Sequence, residues 1–594
     1  MPQISINDRP VSFEPGDTIL QAAKRGGYHI PTLCHMENCA PLGACRVCIV
    51  ELRGAAVLPA ACSTPAVEGM QVYTHTSRVR KARRTVVQLM LSEHQGDCTL
   101  CERAQECELR DIAASLDLRM QSYQGCKPPM TIDASTPALV RETGKCIGCR
   151  RCVRMCNNVQ GIGALFPQGR GFETVIGPAF NQPLSEVVCV QCGQCAAVCP
   201  VGAIYEKDHM EGVWQALENP DKRVVVQVAP AIRAAIGEPF GFPPGTRVTG
   251  KLATALRKLG FSDVFDTNFT ADLTILEEGT ELLTRLTKVL RDKEPAALPM
   301  FTSCSPGWIR FTEQVYPSIL DHISTCKSPQ QMFGALAKTY YADKLSIPSS
   351  DMTVVSVMPC TAKKFEAGRA EMGRNGLADV DYVLTTRELA KMITAGGIDF
   401  ASLEDEPMDA PLGISSGAAD IFANTGGVME AALRTVYELI TGRELPGTDL
   451  HVQPLAGLQG IKEAQVKLEN LLPDYSFLEG VTLRVAVAHG LQNARVLAKQ
   501  VADGTSPYHF IEVMTCPGGC IGGGGQPRFT TDEIRQARIA AIYAEDEGKE
   551  IRKSHLNPEV EKLYNEYLGT PLGQLSHELL HTSYGGNHEN PGHS

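Results

Sequence analysis

The chain has 594 residues, and at roughly 150 residues per domain this length predicts about four domains. Its 56 Lys and Arg against 67 Asp and Glu give a net charge of −11, which argues against nucleic acid as the main partner. Hydrophobic residues make up 43 % and charged residues 21 %, as in folded rather than disordered chains. The sequence shows neither an export signal nor an apolar run of about 18 residues, which predicts a cytoplasmic protein without a membrane span.

Cysteine is the most informative residue type, with 22 in a chain that shows no export signal. Stable disulfides are rare in a reducing compartment, so metal ligation is the favoured interpretation. Seventeen of the cysteines precede residue 200, which predicts a metal-rich front half and a larger back half with fewer metal ligands. The back half contains Cys304, Cys326, Cys360, Cys516 and Cys520.

The first group of cysteines predicts a [2Fe-2S] cluster in a β-grasp, ferredoxin-like domain over residues 1–78. The segment before it predicts a β-hairpin with a turn near Asn7-Asp8, followed by a short helix. Four cysteines with a single C-x2-C pair can hold two iron atoms, whereas a zinc site, the alternative, usually has two such pairs. The predicted ligands, spaced C-x10-C-x2-C-x13-C, are Cys34, Cys45, Cys48 and Cys62.

The second group predicts a [4Fe-4S] cluster over residues 79–125, after a helix at 79–94. Cys98, Cys101 and Cys107 supply three ligands and leave the cluster one ligand short. His94 is the nearest nitrogen donor and is the predicted fourth ligand. Cys126 is the competing candidate for that position.

Two cysteine runs with the spacing C-x2-C-x2-C-x3-C predict a ferredoxin domain with two [4Fe-4S] clusters over residues 138–209. In such domains the fourth cysteine of each run ligates the cluster of the other run. One cluster is therefore predicted at Cys146, Cys149, Cys152 and Cys199. The other is predicted at Cys189, Cys192, Cys195 and Cys156.

The back half shows short β-branched runs that alternate with helical stretches, which predicts an α/β domain around a mostly parallel sheet. Strands are predicted at 223–229, 272–276, 298–303, 352–358 and 483–489. Sites in such sheets form at the carboxyl ends of the strands. Most of the back-half cysteines lie in or near such loops.

Three of these loops carry a family resemblance. TSCSPGW (302–308), MPCTAKKFE (358–366) and EVMTCPGGCIGGGGQP (512–527) resemble the three signature segments of the [FeFe]-hydrogenases. The cluster pattern of the front half, including His94, resembles that of the multi-cluster members of this family and that of the iron–sulfur subunit of complex I. The resemblance implies an α/β and α+β multidomain chain, with an H-cluster domain over 210–540 and a small-subunit-like helical extension over 541–594.

The resemblance implies an H-cluster, which is a [4Fe-4S] cubane joined through a shared thiolate to a two-iron unit that carries CO and CN⁻. Cys360 and Cys516 match cubane ligands, and Cys520 matches the bridging thiolate. Lys363 matches the residue that hydrogen-bonds a cyanide, as suits a cationic donor. The residues at pocket-lining positions are Met358, Met514 and Gln330.

The resemblance also implies a proton relay that starts at Cys304, the position of the family's proton-donating cysteine. From there the relay continues through Glu278, Ser324 and Glu281 towards Arg285. Glu278 and Glu281 are three residues apart and project from one helix face. Without the resemblance, a solvated helix face is the favoured interpretation of these two carboxylates.

One position departs from the family pattern. The first signature usually carries two adjacent cysteines, the second of which ligates the cubane, and here that second position is Ser305. Three consequences are open: Ser305 ligates as an alkoxide, which is a poorer iron ligand than a thiolate; Cys304 ligates instead and leaves the relay; or only three cysteines bind the cubane.

The expected function is the reversible conversion of two protons and two electrons to H₂, with electrons passing through the accessory clusters. The expected partners are ferredoxin, or a subunit that binds flavin and NAD(P) in a complex that can bifurcate electrons, and the maturation proteins that the family implies. The alternative is a non-catalytic electron-transfer subunit, or an H₂ or redox sensor, whose H-cluster is altered at Ser305. A complex I-type wiring subunit without an H-cluster is disfavoured because it does not explain the three loops.

Some residues remain outside these assignments. Cys39, Cys126 and Cys326 are interpreted as cysteines without a cluster. The segment 563–586 predicts two amphipathic helices, on which His577 and His581 are four residues apart. Packing or a partner surface is favoured over a metal site for this pair.

Overall fold

A computed structural model of the protein describes residues 1–37, 39–127, 129–446, 452 and 457–585. The chain divides into two compact units. The front unit consists of Met1–Val159, Gly163–Val187 and Val198–Tyr205. The back unit consists of Gln160–Ile162, Val188–Ala197 and the described residues from Glu206 onward.

The first 206 residues contain short strands and few helices. The strands are β1 (Gln3–Ile6), β2 (Arg9–Ser12), β3 (Glu51–Leu52), β4 (Gln71–Tyr73), β5 (Ile132–Asp133), β6 (Leu139–Glu142), β7 (Phe166–Gln168), β8 (Val175–Gly177) and β9 (Ile204–Glu206). The helices are α1 (Ile19–Arg25), α2 (Ser77–Glu93), α3 (Glu108–Ser115), α4 (Arg151–Arg154) and α5 (Gln194–Val198).

The N-terminal sheet has the strand order β2-β1-β4-β3, in which β1 pairs antiparallel with β2 and parallel with β4. Asn7 and Asp8 form the two-residue turn between β1 and β2, with φ angles of 47° and 65°, as a two-residue hairpin turn of the I′ type requires. Thr18 and Gln21 form a capping box at the start of α1. The predicted hairpin, its turn and the following helix are confirmed, as is the helix predicted at 79–94, which is α2.

The remainder of the described chain contains longer elements. The strands are β10 (Arg223–Val228), β11 (Asp263–Asp266), β12 (Met300–Phe301), β13 (Met352–Met358), β14 (Gly373–Arg374), β15 (Leu377–Ala378), β16 (Tyr382–Thr385), β17 (Ile461–Lys467), β18 (Thr482–His489) and β19 (Phe510–Met514). The helices are α6 (Met210–Glu218), α7 (Thr249–Leu259), α8 (Asn268–Thr287), α9 (Pro306–Val315), α10 (Pro329–Leu336), α11 (Ala342–Leu345), α12 (Ala362–Ala367), α13 (Thr386–Ala395), α14 (Gly417–Asp420), α15 (Gly427–Thr441), α16 (Leu491–Ala502), α17 (Asp532–Glu547), α18 (Pro558–Leu563) and α19 (Gln574–Leu580).

The described part of the back unit is built on two four-stranded sheets rather than on the single sheet that the sequence predicts. One has the order β11-β10-β13-β16 and is parallel throughout. The other has the order β12-β19-β18-β17 and is parallel except for the β17–β18 pair. All seven residues of β13 are buried, which explains its continuous apolar sequence, because a central strand of a parallel sheet is covered on both faces.

One predicted strand is wrong. Residues 272–276 (DLTIL) lie inside helix α8 and are not part of a sheet. Residues 271–275 are all buried, so the segment shows no exposed face from which a helical period can be recognised. Short apolar runs of this kind do not distinguish a buried helix from a strand.

The C-terminal segment contains the two predicted helices, α18 and α19, and α18 continues into a π-helical turn at Tyr564–Leu568. Helix α17 precedes them. None of the helices in the described ranges combines the length and the apolar character that crossing a membrane requires.

A buried arginine joins elements next to the carboxyl ends of the first sheet. The Arg233 guanidinium pairs with Asp266 at 2.8 Å and with Asp420 at 2.9 Å, and all three side chains are out of water. We expect Arg233→Ala to destabilise the fold by about 3–5 kcal/mol, because it leaves buried carboxylates without this partner.

The measurement is the thermal unfolding midpoint. Arg223→Ala is the matched control, since Arg223 pairs with Asp263 at a site where its side chain is 38 % exposed, and exposed pairs contribute less than about 1 kcal/mol. Equal midpoints for the two variants would contradict the proposed importance of the buried pairs.

Candidate metal centres

The four cysteines predicted to hold the [2Fe-2S] cluster are buried, carry free thiols and contact one another. The backbone N–H of Cys45 donates to Cys34 Sγ at 3.4 Å. Hydrogen bonds from the thiols of Cys45 and Cys62 lower the pKa of Cys34 to about 2, whereas contacts with Cys34 and Cys48 raise the pKa of Cys62. Four sulfur atoms gathered in this way fit a cluster that thiolates ligate.

The second group lines one cavity of about 320 Å³ with His94. His94 follows the last residue of α2, and its Nδ1 is buried without a hydrogen-bond partner in the described part of the chain. Burial also lowers the pKa of His94, so the imidazole is neutral and has a free lone pair, as metal ligation requires. Cys126 is exposed and does not line this cavity.

The first three cysteines of the first ferredoxin run, together with Cys199, line another cavity of about 400 Å³. Cys199 follows the second run, so the structure brings together the four residues that the crossed pattern predicts for one cluster: Cys146, Cys149, Cys152 and Cys199. Burial raises the pKa of Cys146 to about 11, and the nearby Cys199 adds to this. Burial raises the pKa of Cys149 as well, and a bound cation would stabilise such thiols as thiolates.

The ligands predicted for the other ferredoxin cluster belong to different units: Cys156 to the front unit, and Cys189, Cys192 and Cys195 to the back unit. In the front unit, Cys156 Sγ accepts a hydrogen bond from the backbone N–H of Ala164 at 3.3 Å. In the back unit, the carbonyl oxygen of Cys189 accepts from Arg310 Nε at 2.7 Å. Cys192 and Cys195 are half-buried. Their ligation of one cluster stays a prediction.

A cavity of the back unit with about 770 Å³ of space lies at the carboxyl ends of β10, β12, β13 and β19. Its lining contains nine residues that the sequence nominates: Cys304, Ser305, Gln330, Met358, Cys360, Lys363, Met514, Cys516 and Cys520. Burial raises the pKa of Cys520 to about 12, with a contribution from Cys516. Cys516 is buried, whereas Cys360 and Cys520 are half-buried. The pKa values of all three thiols are raised, which fits a site that a metal cluster neutralises.

The loops that carry Cys360 and Cys520 approach each other through their backbones. Gly523 lines the cavity, and a Cβ atom added there would lie 2.1 Å from the carbonyl oxygen of Pro359. The N–H of Gly525 donates to the same carbonyl at 2.8 Å. The glycine run therefore permits direct backbone packing between two of the loops that bear cysteines.

Lys363 is held at the cavity wall by a carboxylate that sequence reasoning did not single out. Its Nζ lies 2.9 Å from Glu366 Oε2 and donates to the carbonyl oxygen of Cys304 at 3.1 Å. Gln330 Nε2 donates to the same carboxylate at 3.1 Å, and its Oε1 is buried without a partner in the described ranges. The i, i+3 spacing of Lys363 and Glu366 on α12 was the available signal.

Ser305 is engaged by a neighbouring hydroxyl. Its Oγ lies 2.8 Å from Thr515 Oγ1 and accepts a hydrogen bond from the backbone N–H of Thr515 at 3.2 Å. Thr515 precedes Cys516, so this hydroxyl pair connects the first and third signature loops. Sequence reasoning did not identify Thr515, because a threonine before a cysteine has no distinctive pattern.

Three of the predicted relay residues, Glu278, Glu281 and Arg285, lie on helix α8. Ser324 lies in the loop that packs against this helix. Glu278 is close enough to Cys304 to raise its pKa, and it also interacts with Ser324. Ser324 Oγ donates to Glu281 Oε2 at 2.8 Å, and Arg285 pairs with Glu281 at 2.6 Å. Hydrogen bonds and an ion pair therefore connect Glu278 to Arg285 through Ser324 and Glu281, and Glu278 interacts electrostatically with Cys304 at the cavity.

Comparisons with known proteins agree with this geometry. The model described as iron-only hydrogenase large subunit, C-terminal domain, matches residues 222–524, and the iron hydrogenase small subunit model matches 532–586. In the front half, models of a 2Fe-2S iron–sulfur cluster binding domain, an NADH-ubiquinone oxidoreductase-G iron–sulfur binding region and a 4Fe-4S dicluster domain match 2–77, 83–122 and 145–203. The chain belongs to the iron-only hydrogenase family.

Two relatives align with this iron-only hydrogenase over nearly its whole length. The NADP-reducing hydrogenase subunit HndD of Solidesulfovibrio fructosivorans is 51 % identical over 587 residues, which is 98 % of each chain. Iron hydrogenase 1 of Clostridium pasteurianum is 39 % identical and is matched over 98 % of this chain and 100 % of its own. A solved structure of an apo variant of the [FeFe]-hydrogenase HydA1 from Chlamydomonas reinhardtii is 45 % identical with a TM-score of 0.58, and it covers 64 % of this chain and 100 % of its own.

The family assignment confirms the resemblance that the three loops carry, and it confirms the mixed α/β multidomain architecture. The protein is an oxidoreductase that uses iron–sulfur cofactors. The ligand and relay assignments of individual residues remain predictions, to which the cavities above give a geometric basis.

Glu278 is the relay group with the most unusual titration. Burial and the nearby Glu281 raise its pKa to about 8, so we expect it to hold its proton at neutral pH. Infrared difference spectra should show a carboxylic acid C=O band that disappears as the pH rises through about 8. Glu278→Gln should lack this band, and Glu294→Gln at an exposed position should retain it.

The same pKa determines how Glu278 affects stability. Between about pH 4.5 and pH 8 the carboxyl is ionised when unfolded and protonated when folded, so its contribution to the free energy of unfolding falls as the pH rises. Glu278→Gln should flatten this dependence. A variant with an unchanged pH dependence and an unchanged C=O band would contradict the assignment.

Proposed function

We propose that this chain catalyses the reversible oxidation of H₂ to two protons and two electrons. The observation that carries the proposal is the single cavity that brings Cys360, Cys516 and Cys520 together with Cys304 and Lys363. An ordinary iron–sulfur site needs neither a buried cationic side chain nor a further thiol at its edge. Both are expected where a cyanide ligand must be bound and a proton must be delivered.

The proposed cofactor content is one [2Fe-2S] cluster, three accessory [4Fe-4S] clusters and one H-cluster. Thiols of the front unit, the imidazole of His94 and the back-unit thiols of Cys189, Cys192 and Cys195 would hold the accessory clusters. The cysteines of the 770 Å³ cavity would hold the H-cluster. When bound, the H-cluster supplies the iron site at which H₂ is split or formed. Met358 and Met514 would surround it with apolar side chains and exclude water.

The residues of the chain then hold and move the proton. Burial raises the pKa of Cys304, so its thiol keeps a proton until an acceptor in the cavity takes it. Glu278 returns a proton to the Cys304 sulfur and is itself reprotonated through Ser324 and Glu281. Arg285 keeps Glu281 in position by an ion pair.

The proposed electron partner is a separate subunit that carries flavin and binds NADP. This proposal rests on the relative named as a subunit of an NADP-reducing hydrogenase, which is matched over 98 % of both chains. The sequence of this chain shows no nucleotide-binding fingerprint. The same chain of clusters can also exchange electrons with ferredoxin alone. A third arrangement is a bifurcating complex that uses both ferredoxin and NADP.

The chain co-expressed with maturation proteins tests the proposal. We expect infrared bands of metal-bound CO and CN⁻ that shift under H₂, together with H₂-dependent reduction of an artificial electron acceptor. Cys304→Ser should retain the bands and the iron content while its turnover falls about 10²- to 10⁴-fold, the usual contribution of a positioned proton donor. Cys126→Ser, at an exposed cysteine, is the control. A spectrum without these bands in a fully iron-loaded protein would contradict the proposed function.

One observation favours a second candidate function, a sensor or electron-transfer subunit with an altered H-cluster. The Ser305 hydroxyl, which stands where the family pattern has a ligand, is already engaged by Thr515. A serine oxygen is also a poorer iron ligand than a thiolate. A cubane held by three cysteines would have an iron site open to exchange.

Ser305→Cys separates the two candidates. If wild-type protein is the catalyst, the variant should shift the midpoint potential of the cubane, measured by redox-titrated EPR, and change turnover by less than about tenfold. If the serine suppresses turnover, the variant should raise it by more than about tenfold. Thr515→Val removes the hydroxyl partner without adding a thiolate, and any effect it shares with Ser305→Cys arises from the lost hydrogen bond.

A further inference from the structure

A second group of metal-ligating side chains lies beside the relay, outside the cavities described above. Glu281, Cys326 and His581 each offer one ligand atom, and these atoms all lie within 4.8 Å of one another. All three residues are buried. Neither Cys326 nor His581 has a role in the proposed reaction.

The backbone fixes the relative position of the thiol and the imidazole. Cys326 and His581 form an isolated antiparallel β-bridge. On either side of it, the N–H of Lys327 donates to Leu580 O at 2.7 Å and the N–H of Thr582 donates to Thr325 O at 2.8 Å. The two side chains are therefore positioned by main-chain hydrogen bonds and not only by their own contacts.

The imidazole is oriented as in many metal sites. His581 Nε2 lies 3.1 Å from Glu277 Oε2, and Glu277 is itself fixed by the Tyr564 hydroxyl at 2.5 Å. A carboxylate on one ring nitrogen places the proton there and leaves the lone pair on the other. That other nitrogen, Nδ1, lies 2.8 Å from Thr325 Oγ1 and 3.9 Å from Cys326 Sγ, so a bound cation would take the place of the Thr325 hydroxyl.

The distances suit a small tetrahedral ion. Cys326 Sγ is 3.9 Å from both Glu281 Oε2 and His581 Nδ1. A zinc ion with bonds of about 2.0–2.3 Å separates its donor atoms by roughly 3.3–3.8 Å. Coordination therefore needs small side-chain shifts together with rotation of the Thr325 and Ser324 hydroxyls away from His581 Nδ1 and Glu281 Oε2. One thiolate, one imidazole and one carboxylate form a donor set that zinc accepts.

The charge of the surroundings also favours a cation. The carboxylates of Glu281, Glu278 and Glu277 all act to raise the pKa of Cys326, after burial itself. Arg285 is the guanidinium that pairs with Glu281. A divalent ion would offset the remaining negative charge and stabilise the Cys326 thiolate.

We propose that Cys326, His581 and Glu281 form a binding site for one zinc-type divalent cation, with water as the fourth ligand. Binding replaces the Cys326 S–H proton by an S–Zn bond and releases that proton to solvent. It also occupies a carboxylate of the proposed relay, so bound zinc should inhibit H₂ turnover. This inhibition rests on the proposed function, whereas the binding does not.

The binding experiment is Zn K-edge X-ray absorption of the iron-loaded chain after addition of one equivalent of Zn²⁺, which reports zinc separately from iron. We expect one sulfur at about 2.3 Å and nitrogen or oxygen ligands at about 2.0 Å. Cys326→Ser should lose the sulfur contribution, and His581→Gln should weaken binding at least tenfold. Cys126→Ser is the control, because Cys126 is an exposed cysteine.

An adventitious ion only, with the same spectrum and affinity in Cys326→Ser as in wild type, would overturn the site. More than one sulfur per zinc together with loss of iron would also overturn it, because the zinc would then occupy cluster positions. Inhibition of H₂ turnover by zinc that Cys326→Ser relieves at least tenfold supports the full proposal. Zinc bound as described without any effect on turnover would retain the site and refute the relay through Glu281.

Discussion

The structure depends above all on the cost of removing cysteine thiols from water. A buried thiol is costly to ionise, and the raised pKa of Cys146 and of Cys520 expresses that cost. Ligation to iron makes the buried thiolate favourable, so folding and cofactor loading are coupled in each cysteine-lined cavity. The fold is arranged accordingly, since the strands of the back unit bring loops from distant parts of the chain to one edge of their sheets.

The sequence was most informative where spacing has a direct chemical meaning. Ligand runs such as Cys146–Cys152 are local, and their geometry follows from a few residues of backbone. The hairpin at Asn7-Asp8 was predictable for the same reason, because its two-residue turn requires a particular backbone conformation. The cavity residues of the back unit were identified through family resemblance, since nothing local indicates that Cys304 and Cys520 meet.

What the sequence did not indicate depends on tertiary contacts. Thr515 has ordinary neighbours in the sequence and acquires its importance from Ser305 of another loop. Glu366 has a local signal in its spacing from Lys363, but its contact with Gln330 of another helix is tertiary. Strands β11, β16 and β17 were not predicted, because they are short or lie at a sheet edge, where the apolar pattern is weak. The back unit divides into two sheets because of the way its strands pair with one another. The sequence of a single strand does not determine which other strands it pairs with.

The contact between Gly523 and Pro359 has a consequence for electron transfer. The loops bearing Cys360 and Cys520 pack backbone against backbone, so the sulfur positions they define have little freedom to adjust. Electron transfer is fastest when the atoms around the redox centre move little as its charge changes. At the redox centre proposed for this cavity, a methyl group at residue 523 would separate the loops and let the surrounding atoms relax with each electron. The absence of a side chain there would therefore keep the reorganisation energy of the proposed centre small.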